Sequence, residues 1–363
     1  MLITYNSFEK FNVILKELFQ QKNKKDQIGL QRPLCQELDI PTDYIMKKIG
    51  AIDKNNFFIY SGEYVELIRL DEKNKKLQLL NNTKIEFKLD IETITPSIKK
   101  DKIYVCLSDR RVIKIFNCDL VNGIMELSPN EIIMEDIFEG NFLKSIELSN
   151  NLLAVIEDAE TYISLWNLDN YSKINQISIN ETIKDLLLIN SDYFISSQPN
   201  SETVIFHNIN NLADKKIVEN INSSGSTNCL SSNKMYILVS GSEGFSLISI
   251  KHKELIQYFE MDYIDTKIYE SRIKIDDNNN LYCLYSDSKY DLEAENFYFN
   301  IFNLEESIMK KIVKYERGMM HGNIDKNFDI YVLNTIECIF IIDGRIFICS
   351  EYDLNKVESG NII

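Results

Sequence analysis

Seven short apolar runs, each entered through a polar turn, recur along the 363 residues at nearly constant spacing, and this repetition limits the fold more than any other feature. They are NFFIYS (56 to 61), KIYVCLS (102 to 108), NLLAVIE (151 to 157), DYFISSQ (192 to 198), KMYILVSG (234 to 241), NLYCLYSD (280 to 287) and DIYVLNT (329 to 335). Aligned on the second apolar residue they give Phe58, Tyr104, Leu153, Phe194, Tyr236, Tyr282 and Tyr331, with gaps of 41 to 49 residues.

A second strand-like run follows each anchor, so that Trp166, the only tryptophan, shares a column with Ile68, Phe116, His207, Ile248, Phe302 and Ile341. A further strand precedes the anchors, as in YIMKKIGAID (44 to 53), FLKSIELS (142 to 149), IKDLLLIN (183 to 190) and SRIKIDD (271 to 277). The pieces between, DKNN, SNN, NSD, SSNK and DDNNN, are Asn- and Asp-rich turn chemistry that needs no glycine. Several runs are apolar at successive positions, as expected of strands covered on both faces. A period of this length is one four-stranded propeller blade, so the chain is expected to be all-β: a seven-bladed β-propeller over 44 to 355.

The pattern resembles the WD-repeat family. Trp166-Asn167, Phe116-Asn117 and Phe302-Asn303 stand where that family carries its terminal Trp-Asp, and the sevenfold spacing matches. No repeat has the family's Gly-His dipeptide, the only histidines being 207, 252 and 321, so the buried histidine hydrogen-bond network of the family is expected to be absent.

Residues 1 to 43 read as a helical and extended segment before the ring. Residues 6 to 25 form the predicted helix, with Asn6 and Glu9 as a capping box and Phe8, Phe11, Leu15, Leu18 and Phe19 on one face. That face either packs on the propeller or docks into a partner's groove. Residues 26 to 43, with Pro33 and Pro41, read as a loop. Ring closure falls to Leu2–Tyr5 or to RIFICSEY (345 to 352); the C-terminal run is the expected source, followed by a tail at 356 to 363.

The formal net charge is −15, with 55 acidic and 40 basic residues, which disfavours direct binding to phosphate backbones or anionic lipid. Short basic runs such as Lys22, Lys24 and Lys25, or Lys99, Lys100 and Lys102, carry no interleaved aromatics. Neither a signal sequence nor a membrane-length apolar stretch is seen, so a cytoplasmic or nuclear location is expected. The seven cysteines (35, 106, 118, 229, 283, 338 and 349) are odd in number, widely scattered and without C-x-x-C, supporting neither a disulfide framework nor a zinc site.

Candidate chemistry is sparse. His207, His252 and His321 lack metal-ligand spacing, and His207 falls in the packing column. SGSEG (240 to 244) lacks the spacing and lysine of a phosphate loop and reads as a hairpin turn. Asp276, Asn278, Asn280 and Asp287 offer oxygens, but Leu281 stands where a calcium loop needs glycine. No catalytic, metal or cofactor-binding residue is expected.

Resemblance to WD-repeat proteins implies a non-catalytic scaffold or adaptor with protein partners in a multi-subunit complex. In that family the hairpins between second and third strands line a commonly used face. They would present Asp109, Arg110, Arg111, Glu157, Asp158, Glu160, Gln198, Asn200, Glu202, Ser242, Glu243 and, from the insertion at 286 to 296, Tyr290. Two alternatives are a regulatory subunit of a nucleic-acid-modifying enzyme, and an enzyme with a carboxylate site in the central funnel; the acidic EDAE run (157 to 160) itself reads as a solvated hairpin tip.

Overall fold

The computed structural model describes residues 35–38, 48–60, 64–71, 76–80, 83–89, 91–107, 112–133, 144–149, 151–157, 161–179, 181–198, 202–221, 229–240, 244–260, 268–287, 296–303, 308–316, 328–332, 338–342 and 345–349. These fall into seven antiparallel sheets, and no helix occurs among the described residues. Sheet 1 is Lys48–Ala51, Asn56–Tyr60, Tyr64–Asp71 and Lys76–Leu79, with Ile85–Glu86 also pairing to its third strand. Sheet 2 is Ile91–Pro96, Lys102–Leu107, Val112–Asp119 and Ile124–Ile133; sheet 3 is Ser145–Leu148, Leu152–Glu157, Tyr162–Asn167 and Ser172–Ser178. Sheet 4 is Asp185–Leu188, Tyr193–Gln198, Thr203–Asn208 and Lys215–Val218; sheet 5 is Cys229–Ser232, Tyr236–Ser240, Gly244–Ser249 and Glu254–Glu260. Sheet 6 is Ile268–Ile275, Asn280–Asp287, Asn296–Asn303 and Ile308–Glu316. Sheet 7 is Phe328–Val332, Cys338–Ile342 and Arg345–Cys349, completed by Cys35–Leu38.

The first strand of each sheet lies beside the first strand of the next, and Phe328–Val332 lies beside Lys48–Ala51. The seam is therefore in sheet 7, and its outer strand comes from the N-terminal side. This corrects the expectation of C-terminal closure: Arg345–Cys349 is the third strand, and Cys35–Leu38, inside a segment read as loop, supplies the fourth. Pro33 and Pro41 flank that strand without entering it, which is compatible with an edge position. The helix expected over 6 to 25, with Phe8, Phe11 and Leu15, lies outside the described residues, as does Leu2–Tyr5.

The core lies between sheets. Phe58, Tyr60 and Leu67 of sheet 1 pack on Ile103, Val105 and Phe116 of sheet 2, whose opposite face places Tyr104, Cys106 and Ile115 against Leu153, Val155 and Trp166 of sheet 3. Sheet 3 meets sheet 4 through Ala154, Ile156 and Leu165 against Phe194 and Leu186, and sheet 4 meets sheet 5 through Ile195 and Phe206 against Ile237 and Ile248. Successive residues of one strand thus serve two interfaces, which is why the runs are continuously apolar. Cys106 and Cys118 are buried free thiols, and burial raises both, Cys118 to about 12.

Register corrects one sequence alignment. Across the second and third strands the pairs are Phe57↔Ile68, Ile103↔Phe116, Leu153↔Trp166, Phe194↔His207, Ile237↔Ile248 and Leu281↔Phe302. The Trp166 column holds in these sheets. Its partners stand one residue before the anchors Phe58, Tyr104 and Tyr282 in sheets 1, 2 and 6, and one residue after the anchor Tyr236 in sheet 5. Counting from the turn ignored that a one-residue offset moves a side chain to the other face.

Fourth strands are bulged at a recurrent place: the pairing shifts between Leu165 and Trp166, Leu247 and Ile248, and Ile301 and Phe302, with a wider irregularity at Leu127/Glu131. The extra residues in sheets 3 and 5 are Ile174 and Ile256, both exposed. Such bulges twist an edge and hinder edge-to-edge pairing with another chain.

Candidate functional site

The most elaborate polar arrangement is buried. At the end of the second strand of sheet 3, Glu157 is only 4% exposed. It accepts from the Ser164 hydroxyl and from Lys173 Nζ at 2.8 Å, while Trp166 Nε1 donates to Ser164 Oγ at 2.7 Å and lies 3.3 Å from Glu157 Oε1. The lone tryptophan is thus a packing residue whose N–H is satisfied, as a buried indole requires.

Sheet 4 builds the same device from other residues. Gln198 replaces Glu157 and His207 replaces Trp166. Ser196 replaces Ser164 from the opposite strand: Val155 faces Ser164 in sheet 3, and Ser196 faces Ile205 in sheet 4. His207 Nε2 lies 2.8 Å from Ser196 Oγ, Gln198 Nε2 donates to that oxygen at 2.7 Å, and Thr203 Oγ1 donates to Gln198 Oε1 at 2.9 Å. His207 stacks on Phe194 at 4.7 Å, and Nδ1 has no hydrogen-bond partner among the described residues. Burial, with Lys215 beside it, lowers His207 to about 3, so the ring is neutral at physiological pH. A buried histidine network therefore exists, but it is not the Gly-His network of the WD-repeat family: its histidine comes from the third strand. Ser196 and His207 are fully buried, which makes the pair structural.

These networks account for two of the predicted surface residues. Glu157 and Gln198 are interior, not presented to a partner, because each ends its strand facing its own sheet's polar column. Glu202 is exposed, in a left-handed turn at φ 52°. Asp109, Arg110, Arg111, Asp158, Glu160, Asn200, Ser242, Glu243 and Tyr290 fall in the connections between second and third strands of sheets 2 to 6 and lie outside the described residues.

Other polar groups join sheets to each other. Asp185, in the first strand of sheet 4, forms an ion pair with Lys144 before sheet 3 and accepts from the Leu230 N–H of sheet 5 at 3.2 Å, bridging three sheets. Thr95 donates to the Ser145 carbonyl at 2.6 Å, Ser231 accepts from the Ile275 N–H at 3.1 Å, and Tyr104 donates to Glu147 at 2.8 Å. Burial raises the Glu147 carboxyl despite that bond.

The oxygen-rich DDNNN stretch is a turn cap. Asp276 Oδ1 accepts from the Asn278 and Asn280 N–H groups, and Oδ2 from Asn280 Nδ2 and the Tyr282 hydroxyl. Asp53, Ser97, Asn190 and Asn233 cap the matching turns of sheets 1, 2, 4 and 5. This capping position, recurring 43 to 44 residues apart between Asp53 and Ser97, Asn190 and Asn233, and Asn233 and Asp276, is a repeat signal that alignment on apolar residues alone misses.

On the outside, the fourth strand of sheet 2 stands apart. Val121 in its hairpin and Ile124, Leu127 and Ile133 on the strand are 87%, 43%, 55% and 55% exposed, beside exposed Asp119 and Glu126. Among the described residues the fourth strands of sheets 3, 4 and 5 each expose one large aliphatic: Ile174, Ile217 and Ile256.

No protein-family model and no curated protein matches the chain. Solved structures do. The chain is similar to U3-55K at TM-score 0.60 and 9% identity, covering 89% of this chain and 100% of that one. It is similar to the WD40 domain of SCAP from fission yeast at TM-score 0.51 and 8% identity, covering 87% and 97%, and to Hsv2 of Kluyvelomyces marxianus at TM-score 0.54 and 8% identity, covering 82% and 89%.

Proposed function

With the β-propeller fold of WD40 proteins over most of its length, the chain, we propose, is a non-catalytic scaffold or adaptor subunit that holds protein partners within a larger complex. One observation carries this reading: Leu127 and Ile133, both exposed, share a face of the outer strand of sheet 2 through their pairing with Phe116 and Val112. Exposed aliphatics side by side on an outer strand are the kind of surface that soluble proteins cover with a partner. The buried carboxylate of Glu157 and the ring of His207 support it, because both are committed to ties inside their sheets. Partners of this acidic chain meet it through apolar contacts bordered by basic groups, complementing Asp119 and Glu126. Arg110, Arg111 and Tyr290, in the connections between second and third strands, provide a second contact region.

The test is purification of the tagged protein from its own cells under mild conditions, with co-purifying proteins quantified. A partner near one-to-one stoichiometry that is lost with Leu127→Lys/Ile133→Lys, or with Arg110→Glu/Arg111→Glu, is the expected result. Recovery of the chain without any stoichiometric protein contradicts the reading.

A further inference from the structure

Three of the seven cysteines, remote in sequence, occupy one register row of sheet 7. Cys349 in the third strand is paired with Cys338 in the second and with Cys35 in the fourth. Directly paired residues share a face of the sheet. The row crosses the seam at which the N-terminal strand closes the ring.

The two pairs differ in geometry. Ile342 and Arg345 are paired across a connection of only two residues, so they must be a hydrogen-bonded pair, exchanging their own ladder bonds. The second and third strands pair without a register shift, and hydrogen-bonded and non-hydrogen-bonded pairs alternate. Four steps on, Cys338↔Cys349 is again a hydrogen-bonded pair. The backbone N–H and C=O of Cys349 then point toward Cys338, which makes Cys35↔Cys349 a non-hydrogen-bonded pair, the type with Cα atoms only about 4.5 Å apart. That separation lies within the roughly 4.4–6.8 Å span of disulfides, and it is the closer of the two pairs.

We propose that Cys35 and Cys349 form a thiol site that a small-molecule disulfide converts into a covalent clasp across the seam. The Cys349 thiolate attacks the reagent RS–SR, its S–S bond breaks, and one RS⁻ leaves and is protonated. The Cys35 thiolate then attacks the Cys349 sulfur of the mixed disulfide and displaces the second RS⁻. Two protein thiols are oxidised to one disulfide, and one RS–SR is reduced to two RSH. The bond joins residues 314 positions apart and fixes the one sheet made from both ends of the chain.

The full-length protein is treated with glutathione disulfide, digested without reduction and mapped by mass spectrometry. A peptide pair linking Cys35 to Cys349 is expected in the wild type and in Cys338→Ser, and none in Cys35→Ser. Oxidation should raise the apparent melting temperature of the first two by about 5 °C and leave Cys35→Ser unchanged. Trp166 fluorescence of the reduced variants checks that they are folded. A link only between Cys338 and Cys349, only glutathione adducts, or zinc bound to the purified protein and lost in Cys349→Ser, each overturns the proposal.

Discussion

His207 and Trp166 occupy the same position in successive sheets, and each turns a ring nitrogen onto a serine that comes from opposite strands in the two cases. In sheets 3 and 4 the position takes a flat ring with a polar nitrogen, whereas Ile68, Phe116, Ile248 and Phe302 fill it without one in sheets 1, 2, 5 and 6. The serine can move across the ladder because the two strands present that cross-strand pair to the same face.

Acid should destabilise the protein through His207. Its folded value, about 3, lies below the ordinary 6.5, so between these pH values the unfolded chain binds a proton that the folded chain does not. Stability from the neutral ring is complete above pH 6.5 and falls as pH drops, by up to about 1.4 kcal/mol per pH unit. His207→Phe keeps the stack on Phe194 and removes the titration. Denaturant unfolding at pH 7, 5.5 and 4 should show the wild type losing its advantage over this variant as pH falls.

Glu157 should tolerate an amide better than truncation. Glu157→Ala leaves Ser164 and Lys173 without their acceptor and should cost about 2–4 kcal/mol. Glu157→Gln reproduces the residue that sheet 4 uses at the same place and should cost about half as much. Chemical unfolding followed by Trp166 fluorescence measures both.

Asp185 should matter beyond its own sheet. Asp185→Ala deprives Lys144 and the Leu230 N–H of an acceptor and should lower stability by about 2–4 kcal/mol. Hydrogen exchange should accelerate in the first strands of sheets 3 and 5 as well as sheet 4; acceleration confined to sheet 4 would contradict the bridging role.

Gly50 is fixed by its cross-strand neighbour. A methyl group there would overlap the Phe58 ring, so Gly50→Ala should cost about 1–3 kcal/mol. Combining it with Phe58→Leu should recover part of that loss in thermal unfolding.

The fold was legible because interior strands of stacked sheets are apolar at several successive positions and recur at nearly constant spacing. The face of each residue was less legible: Tyr104 and Leu153 look equivalent from the turn yet lie on opposite sides of their sheets. The seam strand at Cys35–Leu38 is short and flanked by prolines, and has no apolar periodicity to betray it. The polar networks were hidden because equivalent roles pass from Glu to Gln, from Trp to His and from one strand to its neighbour. Glu157 and Gln198 were read as surface residues because an acid or amide at a strand end looks solvated until its partners are seen.

The central claim is that this chain works as part of an assembly. Gel filtration with light scattering on the endogenous protein, released gently from its own cells, tests it most directly. A single species well above the mass of the free chain, reduced to that mass by the Leu127→Lys/Ile133→Lys or Arg110→Glu/Arg111→Glu changes, is predicted. A wild-type protein that elutes as a free monomer would contradict it.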